Sequence, residues 1–177
     1  MASNLRETTP RQTVVPVEMW MTVHLLTEGI KRLRAVEENN RAIKQLMRDV
    51  RKTEGVKKVL VASGVRMDLA NLDQEYIDEL AAHHVGGHLK VAPEHVDDDT
   101  LKLMKKPGVD VYLDFEKRFN KASKKAGKEQ YLVPYFVSSH PGCDTNNAVE
   151  LAEFLKARNL RPRQVQDFIP TPGTPAT

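Results

Sequence analysis

Four short apolar runs recur along the chain: Val56 to Ala62 (VKKVLVA), His88 to Ala92 (HLKVA), Tyr131 to Val137 (YLVPYFV) and Val165 to Ile169 (VQDFI). All four give way to small or polar residues. An apolar run of this length bounded by turn residues suits a strand of a parallel sheet covered on both faces. Between the runs, apolar residues recur at helical spacing: Tyr76, Ile77, Leu80 and Ala81, then Val111, Leu113, Phe115 and Phe119, then Ala148, Leu151, Ala152 and Leu155. That is the pattern of helices with one face on a core. Asp73 stands where an N-cap is expected, and Asp97 to Asp99 open a further helical stretch whose amino end the helix dipole favours for negative charge. Upstream, Ile43, Leu46, Met47 and Val50 mark the apolar face of one more helix, from Asn39 to a stop at Gly55, with Arg41, Lys44, Arg48 and Arg51 reading as a solvated basic surface. Strand and helix alternating at this spacing predict an α/β protein with a parallel sheet and right-handed crossovers.

The domain so defined covers residues 39–177. Residues 1–38 remain unassigned and are expected to be an irregular amino-terminal segment, since Thr8, Thr9, Pro10 and Pro16 argue against regular structure. Within it, VVPVEMWMTVHLL fits a strand or the first turns of a helix equally.

In parallel α/β folds ligands bind at the carboxyl ends of the strands. The candidate site residues therefore follow the apolar runs: Glu94 after the second, and Ser138, Ser139, His140 and Gly142 after the third. Each has a plainer reading. Glu94 could cap the next helix or pair with a lysine, and His140 could bond its own loop backbone. Arg66, after the first run, could meet an anionic group or form a surface salt bridge. His84 and His88 have metal-ligand spacing, but Gly86 and Gly87 break the helix that would put them on one face, so no metal site is assigned to them, to His83 or to His95.

Composition narrows the function classes only a little. A net charge of +3 over 177 residues with 29% charged side chains is ordinary, so nothing compels a nucleic-acid or membrane partner. There is no apolar run of about 18 residues and no signal-peptide pattern, and the expected location is the cytoplasm. A single cysteine, Cys143, excludes an internal disulfide framework. It reads as a small residue in a turn rather than a reactive thiol.

The strings VLVASGVRMDLA, ELAAHHVGGHLKVAPEHVDDDTLKLMKKPG, AGKEQYLVPYFVSSHPG and RPRQVQDFIPTPGTPAT occur in this order. Through them the chain, from about residue 40 to 177, resembles the radical S-adenosylmethionine (radical SAM) proteins of the YgiQ-like subfamily. The resemblance implies a partial (β/α) barrel of radical SAM type, truncated on its amino-terminal side, since a barrel closes only with more strands. It implies S-adenosylmethionine (SAM) and a [4Fe-4S] cluster as cofactors, with reductive cleavage of SAM to a 5′-deoxyadenosyl radical. It places Glu94 at a cofactor-facing strand end, where it could hydrogen-bond a ribose hydroxyl or the amino group of SAM. It likens the SHPG turn, with Ser138, Ser139, His140 and Gly142, to one that packs near adenine.

The cluster ligands of that family lie in CxxxCxxC, because three thiolates hold the soft iron centre. This chain has Cys143 alone. The expected protein is thus a fragment of a radical SAM enzyme that does not catalyse the family reaction by itself. Its substrate is unknown, and its expected partners are the missing barrel half or further copies of itself. Two other classes stay open: a non-catalytic scaffold or module holding a nucleotide-like ligand at the strand ends, and a weak RNA-binding protein using the basic residues from Lys121 to Lys128.

Overall fold

The computed structural model describes residues 17–162, 165–170 and 172. The chain divides into two units, residues 1–36 and 37–177, and the sheet, core and candidate site lie in the second. The first described element is a 36-residue helix, α1 (Val17–Lys52), closed beyond its end by Gly55 at φ +83°. The undecided VVPVEMWMTVHLL segment is therefore helical from Val17. The expectation of an irregular 1–38 fails for residues 17–38, because the proline that argued against helix, Pro16, precedes the first helical residue. The irregular reading of residues 1–16 lies outside the described residues.

Helices α2 (Met67–Ala70) and α3 (Gln74–Glu79) follow, and α3 runs on into a π turn at Leu80–His84. Asp73 caps α3 as its sequence position predicts, its carboxylate accepting from Tyr76 N at 3.0 Å. Then come β1 (His88–Glu94), α4 (Asp98–Leu103), α5 (Val109–Lys125), β2 (Tyr131–Ser138), α6 (Thr145–Ala157) and β3 (Val165–Asp167). The strands form one parallel sheet in the order β1-β2-β3. One face of β1, through Leu89 and Val91, meets Ile77, Leu80, Phe115 and Phe119 in a core from which water is excluded. Burial of large apolar side chains such as these contributes about 1.5–3 kcal/mol each.

The run Val56–Ala62 is not a strand, so among the described residues the sheet has three strands where four were expected. Its polar backbone is claimed elsewhere: Val59 O bonds His84 Nδ1 at 2.9 Å, and Val61 N donates to His84 O at 2.9 Å. The end of the π turn thus takes the place of a strand partner. Only at Val65 does the segment reach β1, through an isolated parallel bridge to Val91.

Candidate functional site

The parallel register decides which candidate residues share an edge. His88 is opposite Tyr131 at the start of β1 and β2, and Glu94 is opposite Phe136 near their carboxyl ends, with a bulge between Val91 and Glu94. Glu94 and the turn after Ser138 therefore leave the sheet at the same end. The bulge re-aims the end of β1 and puts Glu94 at φ +67°. The next strand ends alike, with Ser139 at φ +59°. Two neighbouring strand ends thus finish in the left-handed region on residues that are not glycine, a conformation that costs about 1–2 kcal/mol per residue. Such strain clusters at functional edges.

Most of the side chains at this edge have protein partners. Lys106 Nζ lies 3.0 Å from Glu94 Oε1, the lysine pairing weighed from sequence. Ser138 Oγ donates to Asp167 on β3, and Phe168 N donates to Ser138 O at 2.8 Å, which ties the third strand to this end. Ser139 is exposed. His140 is buried, with Nδ1 at 2.8 Å from Pro141 O and its ring edge-on to Phe168 at 4.9 Å. Gly142 lets the turn close on α4: a Cβ there would lie 2.4 Å from Leu103 Cδ1. Arg66 spans Asp68 through two hydrogen bonds, the surface salt bridge weighed for it from sequence.

One pairing at this edge carries no signal in the sequence. Cys143 Sγ lies 3.7 Å from Nε2 of the buried His95, 48 residues earlier. His95 Nδ1 accepts from Asp97 N at 3.0 Å, so in the neutral ring the proton sits on Nε2, facing the sulfur. Burial holds the imidazole below its ordinary pKa despite Asp97 and Glu150. Burial, then the charges of Asp144 and Asp97, pushes the thiol up. A neutral thiol facing a neutral N–H is a packing contact, since neither group is a thiolate nucleophile or an available base. A third buried histidine, His84, joins the π turn to Val59 O.

Among the described residues a three-stranded parallel sheet, flanked by helices and with a strained carboxyl edge at Glu94 and Ser139, defines an α/β protein. No family model matches the chain. It is, however, homologous to the UPF0313 proteins: it is 54% identical over 132 residues to one from Vibrio parahaemolyticus, 48% over 144 residues to one from Clostridium perfringens and 50% over 137 residues to one from Yersinia pestis. These alignments cover 75%, 80% and 77% of this chain but 17%, 22% and 18% of the relatives. The chain spans about a fifth of the length of the curated relatives it matches.

An iron–sulfur cluster does not fit this donor set. The chain has one cysteine, and among the described residues no three His, Cys, Asp or Glu side chains gather where a metal could be held. Of the edge residues, Glu94 is paired with Lys106 and Ser139 is exposed, whereas His140 is buried and Gly142 packs against Leu103. Among the described residues no helix is long and apolar enough to cross a membrane.

Proposed function

We propose that this chain is a portion of a radical SAM (β/α) barrel that binds the adenosyl moiety of SAM at its carboxyl edge and lacks the means to perform radical chemistry alone. The observation that supports this best is the pair of left-handed strand ends, Glu94 and Ser139, on neighbouring parallel strands that leave the sheet at the same end. The homology to UPF0313 proteins and the resemblance of the motifs agree with it. Glu94 would accept from a ribose hydroxyl or the amino group, and Ser139 would offer a hydroxyl to the adenine side. Lys106 holds the Glu94 carboxylate in place and must yield or share it when the ligand arrives.

Calorimetric titration of the 177-residue chain with SAM tests the reading. Saturable binding, weakened roughly tenfold or more by Glu94→Gln, is expected from the loss of a hydrogen bond to a charged acceptor. No binding, or binding indifferent to Glu94→Gln and Ser139→Ala, would sink it. Separately, anaerobic reconstitution with iron and sulfide should leave no stable cluster. A broad cluster absorbance with about four irons per monomer would overturn the non-catalytic half of the proposal.

A further inference from the structure

The opposite, amino-terminal end of the sheet holds a concave site. A cleft of about 470 Å³ lies between Lys57–Leu60, the π turn and the entry to β2. Arg51, Lys57, Lys58 and Lys128 line it, with Glu129 the one carboxylate. That carboxylate already accepts from Tyr131 OH. Among the described residues Lys57 and Lys58 have no ion-pair partner. Arg51 Nη1 is buried without a hydrogen bond, 3.6 Å from Glu79 Oε1. Lys57 and Lys58 therefore bring like charge to the cleft that no ion pair among the described residues offsets, and such charges repel one another unless an anion shares the space.

Hydrogen bonds across the cleft hold its walls. His84 is bonded to Val59 O and Val61 N, and Gln130 Nε2 donates to Ala81 O at 3.0 Å and Val85 O at 2.8 Å. Carbonyls at the end of the π turn would repel an anion, but Lys128 Nζ covers them, 2.6 Å from Ala82 O and 3.4 Å from Ala81 O. A π turn is rare and occurs often at functional sites. Val59, Leu60, Ala82 and Val85 supply the apolar part of the lining.

We propose that this cleft binds a small phosphate-bearing ligand, with Lys57, Lys58 and Arg51 on the phosphate and the apolar lining against the rest of the molecule. A nucleic-acid strand fits the surface less well, because the basic stretch that would extend the track is interrupted. Lys125 is paired with Asp78 at 2.7 Å, and Lys128 is held by carbonyls.

The probes are inorganic phosphate and pyrophosphate, titrated into the 177-residue chain by calorimetry and by NMR of the histidine rings. His83 lines the same cleft, and burial, then the Arg51 charge, holds its pKa below the ordinary value. Glu79 opposes that shift, while His84 and Lys128 add to it. Saturable one-to-one binding is expected, tighter for pyrophosphate, and bound anion should move the His83 titration midpoint upward. Lys57→Gln with Lys58→Gln should weaken binding roughly tenfold or more. Lys117→Gln with Lys156→Gln removes the same charge from exposed positions outside the cleft and should change it by no more than about twofold. The proposal falls if neither anion binds, if the two double variants lose affinity equally, or if His83 is unmoved at saturation. It also falls if a short single-stranded RNA binds and pyrophosphate does not displace it. The lysines are exposed, and the histidine shift is read on the unaltered chain, so a folding defect in a variant leaves the test intact.

Discussion

The Cβ that Gly142 lacks would fall 2.4 Å from Leu103 Cδ1, and its φ of +89° belongs to the left-handed region. Leu103 is half exposed and can swing aside, so the backbone term is the larger one. Gly142→Ala is expected to cost about 1–2 kcal/mol, read from urea unfolding, and adding Leu103→Ala should restore little of it. Full recovery in the double variant would make the contact, and not φ, the reason for glycine. A second residue-scale effect concerns pH. Hydrogen bonds from Lys44, then Arg48, hold the Glu75 carboxyl down at about 2. Its folded value lies below the ordinary 4.5, so its contribution is present in full above about pH 4.5 and fades as pH falls from there toward 2. Glu75→Gln should flatten that acid limb of the urea midpoint. The loss should be modest, since the Glu75 side chain is 63% exposed. For Lys44, burial pulls the pKa down, but the hydrogen bonds to Glu75 and Asp73 carry it upward overall. Its contribution therefore holds below about 10.5 and fades only in stronger base.

At the scale of elements, the helical spacing of Ile43, Leu46, Met47 and Val50 named the wrong face of α1. Only Met47 is buried, alongside Asn40 and Lys44, while Leu46 is 63% exposed. The basic face read as solvated makes the contact instead: Lys44 meets Asp73 and Glu75, and Arg48 meets Glu75 and Glu79. Hydrophobic periodicity identifies a helix, but it cannot say which stripe docks when the partner helix offers carboxylates. Helix α6 is the opposite case, with no fully buried residue and its anchoring through the half-buried Phe154. Its amino end depends on a capping box in which Asp144 accepts from Asn146 N and Asn147 N, and Asn147 returns a bond to Asp144 N. Asp144→Ala should cost about 1 kcal/mol, and hydrogen exchange should show α6 amides losing protection ahead of β1 and β2. Uniform loss across the sheet would contradict that order.

For the whole molecule, the open questions are the edges of the sheet. All three residues of β3 are exposed, and among the described residues no strand pairs with its outer side. At the other edge, Lys57–Leu60 runs extended in sequence character but outside the ladder. Unpaired strand edges template association. Sedimentation velocity is therefore expected to show concentration-dependent association, reduced by Val165→Lys, which places a charge on the β3 edge. A species that stays monomeric throughout the accessible concentration range, with or without that substitution, would show the edge to be covered.

By itself the sequence determined the alternation of strand and helix, the parallel sheet, the Asp73 cap, and the sharing of one edge by Glu94 and the Ser138–Gly142 turn. These follow from local periodicity, turn chemistry and the handedness of crossovers, all written in neighbouring residues. Only the tertiary structure decided the fate of Val56–Ala62, because a strand exists through its partner, and His84 occupies the hydrogen bonds that a partner would need. The same holds for the left-handed ends at Glu94 and Ser139, which the bulge and the turn impose. It holds too for the basic cleft, whose members Arg51, Lys57, Lys58 and Lys128 are separated by up to 77 positions and share no spacing. Electrostatic and hydrogen-bonded arrangements of that kind depend on distance in space, and linear spacing carries no trace of it.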